Sequence, residues 1–490
     1  MMTMRRARAK LLVFTVVCGC HAPTGDSPGE DMGPPAADLR RPRADLTPVD
    51  PPDLANLGPG SARWARDLHQ RPQSSLDGPV AVAVDGHNSL ILASTFGGTV
   101  DLGGGPLQCQ GATDLLIAKY AADGSFGWAK RFGGKDGLTR AYAVAVDAAD
   151  NIVVAGIFVG TIDLGGGPLN SNGTSAGDAF LVKYSADGNH LFSRRLGGTR
   201  DDALVSVAVS SSGDIFAAGV FSQSIDLGGG PVPGIGGQDI FIARYSGASG
   251  AYQWGKALGG AGSDEARVKI DPAGDLVLAG HFGGSADLGG GVLTSKGETD
   301  GFIAKYTQAG DYQWSNRYGG AGADSVRAVA VDKDGNILIT GQFTDMADLG
   351  GGPLAGTGAF VAKYKPSGVP LWSKPFTYKG AGAAFALALA VDSRGNIELA
   401  GEFNKTVDFG GGALTSAGGN DLWLARYSAD GVHLRSQRFG ADLDDKPENL
   451  AMTGDDQVVL TGLFRSTVDF GTGPLAAGDI AHSFLLSKDP

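Results

Sequence analysis

One short motif recurs seven times along this 490-residue chain at a nearly constant interval. It reads [Val/Ile/Ala]-Asp-[Leu/Phe]-Gly-x-Gly, and neighbouring copies lie 60 to 63 residues apart. A fixed period of this length indicates a repeat fold, in which each repeat forms one supersecondary unit that stacks on its neighbours. The motif aspartates are Asp101, Asp163, Asp226, Asp287, Asp348, Asp408 and Asp469.

Each repeat also contains four apolar segments with the pattern of β-strands. Typical examples are GWAKRFGG (127–134), AYAVAVD (141–147), NIVVAGIF (151–158) and DAFLVKY (178–184). They are rich in β-branched and aromatic residues and bounded by Gly, Asp or Asn. Glycine makes up 80 of the 490 residues, which disfavours long helices. Each repeat is therefore predicted to be a four-stranded antiparallel meander with tight Asp-Gly hairpins, the size of a propeller blade.

The two ends of the repeat region predict how the units are arranged. The segment 61–68 matches the fourth strand of a repeat, with Trp64 aligned to Trp128, and it precedes the first repeat. The last unit stops after its third segment, HSFLLSKD (482–489). Pairing these ends would complete the last unit and leave no unfinished sheet edge. We therefore predict an all-β, seven-bladed β-propeller of four-stranded antiparallel blades over 61–490, a ring closed by an N-terminal outermost strand.

The N-terminus has the pattern of a targeting segment. Four basic residues and no acid occupy the first ten positions, and the apolar run LLVFTVVCG (11–19) is too short to span a bilayer. Residues 1–19 are therefore predicted to be a lipoprotein signal peptide, because Val17 to Cys20 resemble the bacterial lipobox. That resemblance implies lipid attachment at Cys20, and a plain secretory signal is the alternative. Residues 20–60, rich in proline and without aromatic residues, are predicted to be a flexible tether.

Charge and cysteine content limit the expected partners. The formal net charge is −12, which disfavours binding to nucleic acid. Of three cysteines, Cys18 would leave with the signal and Cys20 would be acylated, so Cys109 has no partner for a disulfide. We expect an exported monomer in the cell envelope, at the outer membrane or the cell surface. Its lipid anchor is the expected contact with the membrane.

The repeat elements resemble those of a known family. The patterns [VI]-D-[LF]-G-G-G-P-L, D-x-F-[IV]-A-K-Y and W-x-x-R-x-G-G are similar to elements of the bacterial β-propeller repeat proteins of the SBBP type. The resemblance covers residues 62–490. It implies a propeller fold in a surface or exported repeat protein, and it implies no particular ligand.

Acidic residues in the connections between repeats are the candidate binding residues. These connections vary in sequence and lead into the innermost strands, so they are predicted to rim one mouth of a central channel. A site for a cation or a basic ligand is one interpretation, and a solvated acidic rim is the other. The candidates are Asp201, Asp202, Asp264, Glu265, Asp324 and Asp444.

No catalytic, metal or cofactor site is predicted. The seven histidines show no HExxH or paired-ligand spacing, and the G-x-S-x-G match at 173–177 lies in a loop between strands. The motif aspartates are expected to form Asx turns, and the recurrent tryptophans to be core residues. We therefore expect a non-catalytic, lipid-anchored binding or scaffold module for a protein or a glycan. The alternatives are a cation-dependent structural module of the envelope and a propeller hydrolase or lyase with its site at the channel mouth.

Overall fold

The computed structural model of the protein describes residues 60–68, 74–76, 78–172, 176–378 and 382–490. All of them belong to one unit, Leu54–Pro490. Among them there is no helix that is long and apolar enough to cross a membrane. The predicted signal peptide (1–19), the predicted lipid site Cys20 and nearly all of the predicted tether (20–60) lie outside the described residues.

The described residues form 36 β-strands, so the prediction of an all-β chain of antiparallel sheets is confirmed. In chain order the strands are β1 (Ala62–Asp67), β2 (Ser74–Leu76), β3 (Ala81–Val84), β4 (Leu90–Val100), β5 (Leu107–Gln108), β6 (Asp114–Tyr120), β7 (Phe126–Phe132), β8 (Leu138–Val146), β9 (Ile152–Val159), β10 (Thr161–Asp163), β11 (Pro168–Asn170), β12 (Asp178–Tyr184), β13 (His190–Leu196), β14 (Ala203–Val209), β15 (Ile215–Asp226), β16 (Pro231–Tyr245), β17 (Tyr252–Gly260), β18 (Glu265–Ile270), β19 (Leu276–Asp287), β20 (Val292–Tyr306), β21 (Tyr312–Gly320), β22 (Ser325–Val331), β23 (Ile337–Phe343), β24 (Met346–Asp348), β25 (Pro353–Ala355), β26 (Gly358–Tyr364), β27 (Pro370–Thr377), β28 (Ala383–Val391), β29 (Ile397–Asn404), β30 (Thr406–Asp408), β31 (Ala413–Thr415), β32 (Asp421–Tyr427), β33 (His433–Phe439), β34 (Lys446–Met452), β35 (Val458–Asp469) and β36 (Pro474–Lys488).

The recurring unit is an antiparallel meander of four strands, in which each strand pairs with the next along the repeat. The N-terminal strand β1 pairs with the C-terminal strand β36, with Ala65 opposite Leu486, and supplies the fourth strand of the last unit. In order, the units are β3-β4-β6-β7, β8-β9-β12-β13, β14-β15-β16-β17, β18-β19-β20-β21, β22-β23-β26-β27, β28-β29-β32-β33 and β34-β35-β36-β1.

Tight turns join the first and second strands of each unit. In the fifth unit, Asp332 Oδ1 accepts the backbone N–H groups of Asp334 at 3.0 Å and Asn336 at 2.8 Å. Gly335 has a φ of 78°. Glycine adopts this left-handed conformation without the steric cost that a Cβ brings. The Asp-x-Asp-Gly-Asn sequence therefore selects this turn.

The repeated Asp-Leu-Gly-x-Gly motif fixes the outer hairpin between the second and third strands. In the first unit, Asp101 Oδ1 accepts the backbone N–H groups of Gly103 and Gly105, both at 3.0 Å. The carbonyl of Leu102 accepts a hydrogen bond from the buried Tyr120 hydroxyl at 3.0 Å. The same interactions recur in other units. The motif aspartate thus forms the expected Asx turn, and the tyrosine of the third strand anchors it.

Apolar side chains pack between neighbouring units rather than inside one sheet. The first unit also packs against the last one, because Val80 and Leu92 share a hydrophobic cluster with Val459 and Leu485. All four side chains are at most 3% exposed. This contact brings together parts of the chain that are more than 360 residues apart.

The recurrent tryptophans, expected to be core residues, are half-buried and pack against the hydrophobic clusters between units. Trp128 packs on Gly188 in the turn between the third and fourth strands of the following unit, where an added Cβ would lie 2.7 Å from the indole. Trp64 packs in the same way on Gly124, and its Nε1–H donates to the carbonyl of Ala122 at 3.1 Å. The tryptophans therefore join one unit to the next.

Candidate functional site

Three of the six predicted binding residues, Asp202, Asp264 and Asp324, are buried, with at most 2% of each residue exposed. The carboxylates of Asp264 and Asp324 accept backbone N–H groups from two separate loops. Asp264 Oδ2 accepts from Gly260 at 2.9 Å, and its Oδ1 accepts from Gly283 at 3.2 Å. Asp324 accepts from Gly320 and Thr344 in the same way, whereas Asp202 accepts only from Gly198 among the described residues, at 2.6 Å. Asp264 and Asp324 thus tie the connection between two units to the end of the second strand. This role explains why an ionisable residue is buried here, because the backbone N–H groups replace the hydrogen bonds that water would make to its carboxylate.

Burial raises the pKa of all three carboxyl groups. It raises the pKa of Asp202 to about 7 and that of Asp264 to about 6, and it also raises the pKa of Asp324. A second carboxylate adds to the rise at each position, such as Asp178 beside Asp202 and Asp239 beside Asp264. The backbone N–H groups act in the opposite direction because they stabilise the ionised form.

The other three predicted residues are accessible. Asp201 and Asp444 are exposed, and Glu265 is half-buried. Asp201 Oδ1 accepts the N–H of Gly177 at 2.8 Å, and Asp444 Oδ1 accepts the N–H of Asn420 at 2.9 Å. Both exposed aspartates therefore also fix the local backbone. Of the six predicted binding residues, these three are therefore the ones that a partner can contact, because the carboxylates of the other three are buried.

Another set of buried aspartates begins the third strand of several units, and most of them pair with an arginine of the fourth strand. In the first unit, Arg131 Nη1 lies 2.6 Å from Asp114 Oδ2. Asp239 is the equivalent residue of the third unit, but Ala257 occupies the position of the arginine. Asp239 Oδ2 accepts the backbone N–H groups of Ile235 at 2.7 Å and Gly236 at 3.2 Å, but no arginine pairs with it among the described residues. The third unit therefore lacks one charge that its neighbours have.

The first strands of the units lie side by side, and β18 differs from its counterparts. The strands β8, β14, β22, β28 and β34 each contain a β-bulge, in which one extra residue opposes the second strand. In contrast, β18 pairs with β19 without a shift from Glu265 to Ile270. Arg267 and Lys269 of β18 lie at register positions that hold Ala328 and Ala330 in β22. The fourth unit therefore carries two long cations where the fifth unit has two alanines.

Arg267 belongs to a group of charged side chains from β18, β19 and β22. Its Nη2 atom lies 2.9 Å from Glu265 Oε1. Burial opposes ionisation of Glu265, but the positive charges of Arg267 and Arg327 outweigh it, so the pKa of Glu265 is lowered. Burial also lowers the pKa of the neighbouring His281 to about 4. At neutral pH the group therefore contains two guanidinium ions, one carboxylate and one neutral imidazole.

Of this group, Glu265 is predicted from the sequence but Arg267, His281 and Arg327 are not, because segments such as AYAVAVD (141–147) indicate first strands of mostly small, apolar residues. A sequence signal for it exists: Asp264 and Asp271 are seven positions apart, whereas the equivalent Asp324 and Asp332 are eight apart. The missing residue is the one that forms the bulge in β8, β14, β22, β28 and β34. A break in an otherwise constant repeat is a reason to inspect the residues around it.

One group of potential metal ligands occurs among the described residues, formed by Asp85, His87 and Asp150, with ligand atoms within 4.8 Å of one another. His87 Nδ1 lies 2.7 Å from Asp150 Oδ2, and Asp85 Oδ2 lies 2.7 Å from Lys119 Nζ. The lysine ammonium already neutralises the buried Asp85. The three side chains therefore connect two turns of adjacent units, and their contacts do not indicate a cation site.

Comparison with protein families identifies one repeat. Residues 313–342 match the model of the SBBP β-propeller repeat. The segment contains β22 and most of β21 and β23. The predicted resemblance to this β-propeller repeat is thereby confirmed.

Two relatives are longer than this chain. The uncharacterised WD repeat-containing protein L264 of Acanthamoeba polyphaga mimivirus is 21% identical over 480 residues, which cover 76% of this chain and 34% of the relative. The regulatory protein FlaEY of Caulobacter vibrioides is 28% identical over 256 residues, which cover 48% of this chain and 26% of the relative. The matches thus span about a third and a quarter of these relatives.

Similar solved structures include the WD40 domain of Neurospora crassa Pan2, with a TM-score of 0.43 and 10% identity over 87% of this chain and 95% of that one. BamB of Moraxella catarrhalis has a TM-score of 0.35 and 10% identity over 86% of this chain and 97% of that one.

Proposed function

We propose that the protein is an exported, lipid-anchored β-propeller that acts as a non-catalytic binding or scaffold module for a protein or a glycan. The observation that carries the proposal is the way in which aspartates fix the connections between units. Asp202 and Asp264 hold these connections from inside, while Asp201 and Asp444 are exposed on the same kind of connection. Binding residues concentrate on loops that a rigid scaffold holds in place.

The proposed architecture is a closed ring of seven four-stranded blades. Two hydrogen bonds between the first and last units support it. The N–H of Val80 donates to Glu448 Oε2 at 2.9 Å, and the carbonyl of Val80 accepts from the Thr461 hydroxyl at 2.6 Å. The first strands also contact one another in succession from β3 to β34, and β34 contacts β3. These contacts favour a central channel lined by the first strands, with β1 as the outermost strand of the seventh blade.

The proposed anchor is a lipid on Cys20. It rests on the basic first ten residues, the short apolar run after them and the lipobox-like sequence that ends at Cys20. Residues 20–60 would then separate the propeller from the outer membrane or the cell surface. The net charge of −12 is consistent with a partner other than nucleic acid.

The binding proposal is tested with a double variant, Asp201→Ala with Asp444→Ala. Binding of the full mature chain to a glycan array and to detergent-solubilised envelope proteins is quantified for the wild type and the variant. The matched control replaces Asp187 and Asp430, two exposed acids of the turns between third and fourth strands. We expect the first double variant to lose a ligand that the control retains. Equal binding by both variants would contradict the assignment of this face.

The anchor is tested by replacing Cys20 with serine. Serine cannot carry the thioether-linked lipid, so the variant should leave the membrane fraction and lose labelling by a fatty-acid analogue. Fractionation and labelling of the wild type provide the reference. Continued labelling and membrane association of the variant would remove the support for a lipoprotein.

A further inference from the structure

We propose that Arg267 and Arg327, assisted by His281, form a binding site for an oxyanion group on the first-strand surface between the fourth and fifth units. The ligand class is a small molecule or a side group that carries a carboxylate, phosphate or sulfate. This site is separate from the exposed aspartates to which the proposed partner binding is assigned. The channel in which it would lie belongs to the proposed ring, whereas the side-chain contacts do not depend on it.

Within this group, two guanidinium ions stand against the single carboxylate of Glu265, so the group carries an excess positive charge. Arg267 forms an ion pair with Glu265 at 2.9 Å, and both side chains are about 30% exposed. Arg327 is half-buried and forms no ion pair with an acidic side chain among the described residues. Burial lowers the pKa of Arg327, which indicates that its charge is costly where it lies. An added anion would offset that cost.

Two buried nitrogen atoms of the group have no hydrogen-bond partner among the described residues. They are Arg267 Nη1 and His281 Nδ1. Buried polar atoms are rarely left without a partner in folded proteins, and functional sites are one of the recognised exceptions. His281 is neutral at neutral pH, so one of its ring nitrogens carries a proton and the other accepts. The imidazole therefore adds a neutral hydrogen-bonding group beside two cations.

The shape of guanidinium favours an oxyanion over a halide. Its N–H groups form a planar fork that matches two oxygen atoms of a carboxylate, phosphate or sulfate. The adjoining first strands hold small side chains at the register position of Arg267, namely Ser206 and Ala328. The Arg267 side chain is 31% exposed beside these small neighbours, so a ligand can reach part of its guanidinium group although Nη1 is buried. The protein as a whole is acidic, so an anion would bind through this local group rather than through overall charge.

Lys269 adds a second cation on the same strand. The side chain is exposed to solvent, yet the protein around it lowers the pKa of its ammonium group. Both properties are expected for a side chain inside a narrow, water-filled channel. Lys269 has no ion pair among the described residues, so it would attract an anion toward Arg267 without taking part in its coordination.

The test measures binding of sodium sulfate, sodium phosphate and sodium acetate to the full mature chain by isothermal titration calorimetry. Ionic strength is held constant with sodium chloride, so a non-specific salt effect cancels. The variants are Arg267→Gln and Arg327→Gln, and the control is Arg394→Gln, which removes an exposed arginine from a turn. Comparing the divalent anions with acetate distinguishes a phosphate or sulfate site from a carboxylate site.

We expect saturable binding of at least one of these anions to the wild type and to Arg394→Gln. Loss of a charged hydrogen bond should weaken it at least about 10-fold in Arg267→Gln and in Arg327→Gln. If Arg267→Gln fails to fold, as judged by circular dichroism, Arg327→Gln decides the question because Arg327 forms no ion pair with any residue that the structure describes. Absence of saturable binding, or equal affinity in all three variants, would overturn the site. Neither result affects the proposed partner binding, which is measured through Asp201 and Asp444.

Discussion

Replacing Asp202 with asparagine should make the protein less sensitive to pH, whereas the same change at Asp264 should cost stability. The two carboxylates differ in their hydrogen bonds. Asp202 Oδ2 accepts the N–H of Gly198 at 2.6 Å, and its Oδ1 is buried without a hydrogen-bond partner among the described residues. Asp264 uses both oxygens, with Gly260 and Gly283 as donors. An asparagine side chain has only one acceptor oxygen. At position 202 this oxygen can accept the single backbone N–H. At position 264 one of the two backbone N–H groups would face the amide nitrogen of the asparagine and lose its acceptor.

The magnitude at Asp202 follows from its pKa, which burial raises from 3.8 to about 7. The folded state therefore holds this proton more tightly than the unfolded chain does, and stability falls as the pH rises from about 4 to about 7. At about 1.4 kcal/mol per pKa unit, the loss is at most about 4 kcal/mol. Asparagine removes the ionisable group and with it this part of the pH dependence. At Asp264, the unsatisfied N–H should cost about 1–3 kcal/mol.

Urea denaturation of the wild type and both variants at pH 5 and pH 8 measures these effects. Between pH 5 and pH 8 the wild type should lose more free energy of unfolding than Asp202→Asn does. The difference between these two losses is the contribution of the Asp202 carboxyl group. Asp264→Asn should already be less stable than the wild type at pH 5. If Asp202→Asn shows the same loss between pH 5 and pH 8 as the wild type, the burial of an ionisable carboxyl at this position is refuted.

Two further changes test one contact within a unit and one contact between units. Ala257→Arg should stabilise the protein by up to about 1 kcal/mol, because it supplies the partner that Asp239 lacks. Urea denaturation should show no gain in an Asp239→Asn background, and an equal gain there would contradict the pairing. Trp64→Ala should cost about 2–3 kcal/mol, less than for a fully buried tryptophan, because it removes the contacts with Gly124 and Ala122. Trp64→Phe should recover part of that loss in the same measurement, and full stability of Trp64→Ala would contradict the proposed junction.

The strands and turns could be predicted from sequence because their causes are local. The turn at Asp332 depends on residues within four positions, and so does the turn at Asp101. Recurrence in seven copies makes such patterns visible without a structure. The pairing of β1 with β36 could also be predicted from the sequence. Trp64 aligns with the tryptophans of the other fourth strands, and the last unit lacks a fourth strand of its own.

The burial of Asp202, Asp264 and Asp324 was not predicted, because an acidic residue in a variable loop is usually solvated. Its cause is not local: the second donor to Asp264 is Gly283, nineteen positions later in the chain. One regularity does mark these residues. Asp202, Asp264 and Asp324 each follow the second glycine of a Gly-Gly pair by four positions, whereas the spacing of exposed acids varies. The excess positive charge around Arg267 results from four side chains on three strands, so it could not be predicted from any one segment of the sequence.

The most direct test of the closed ring compares the thermal unfolding of two deletions. Removing 61–68 eliminates β1 and leaves the edge of β36 unpaired, and Trp64 and the Arg63–Asp489 ion pair are lost with it. A truncated buried aromatic residue alone costs about 3–5 kcal/mol, and a whole strand should cost more, which is a large part of a typical stability of about 5–15 kcal/mol. The ring therefore predicts that this deletion melts far below the parent or aggregates, while deletion of the tether 22–59 leaves the melting temperature nearly unchanged. Equal melting of the two deletions would contradict closure by the N-terminal strand.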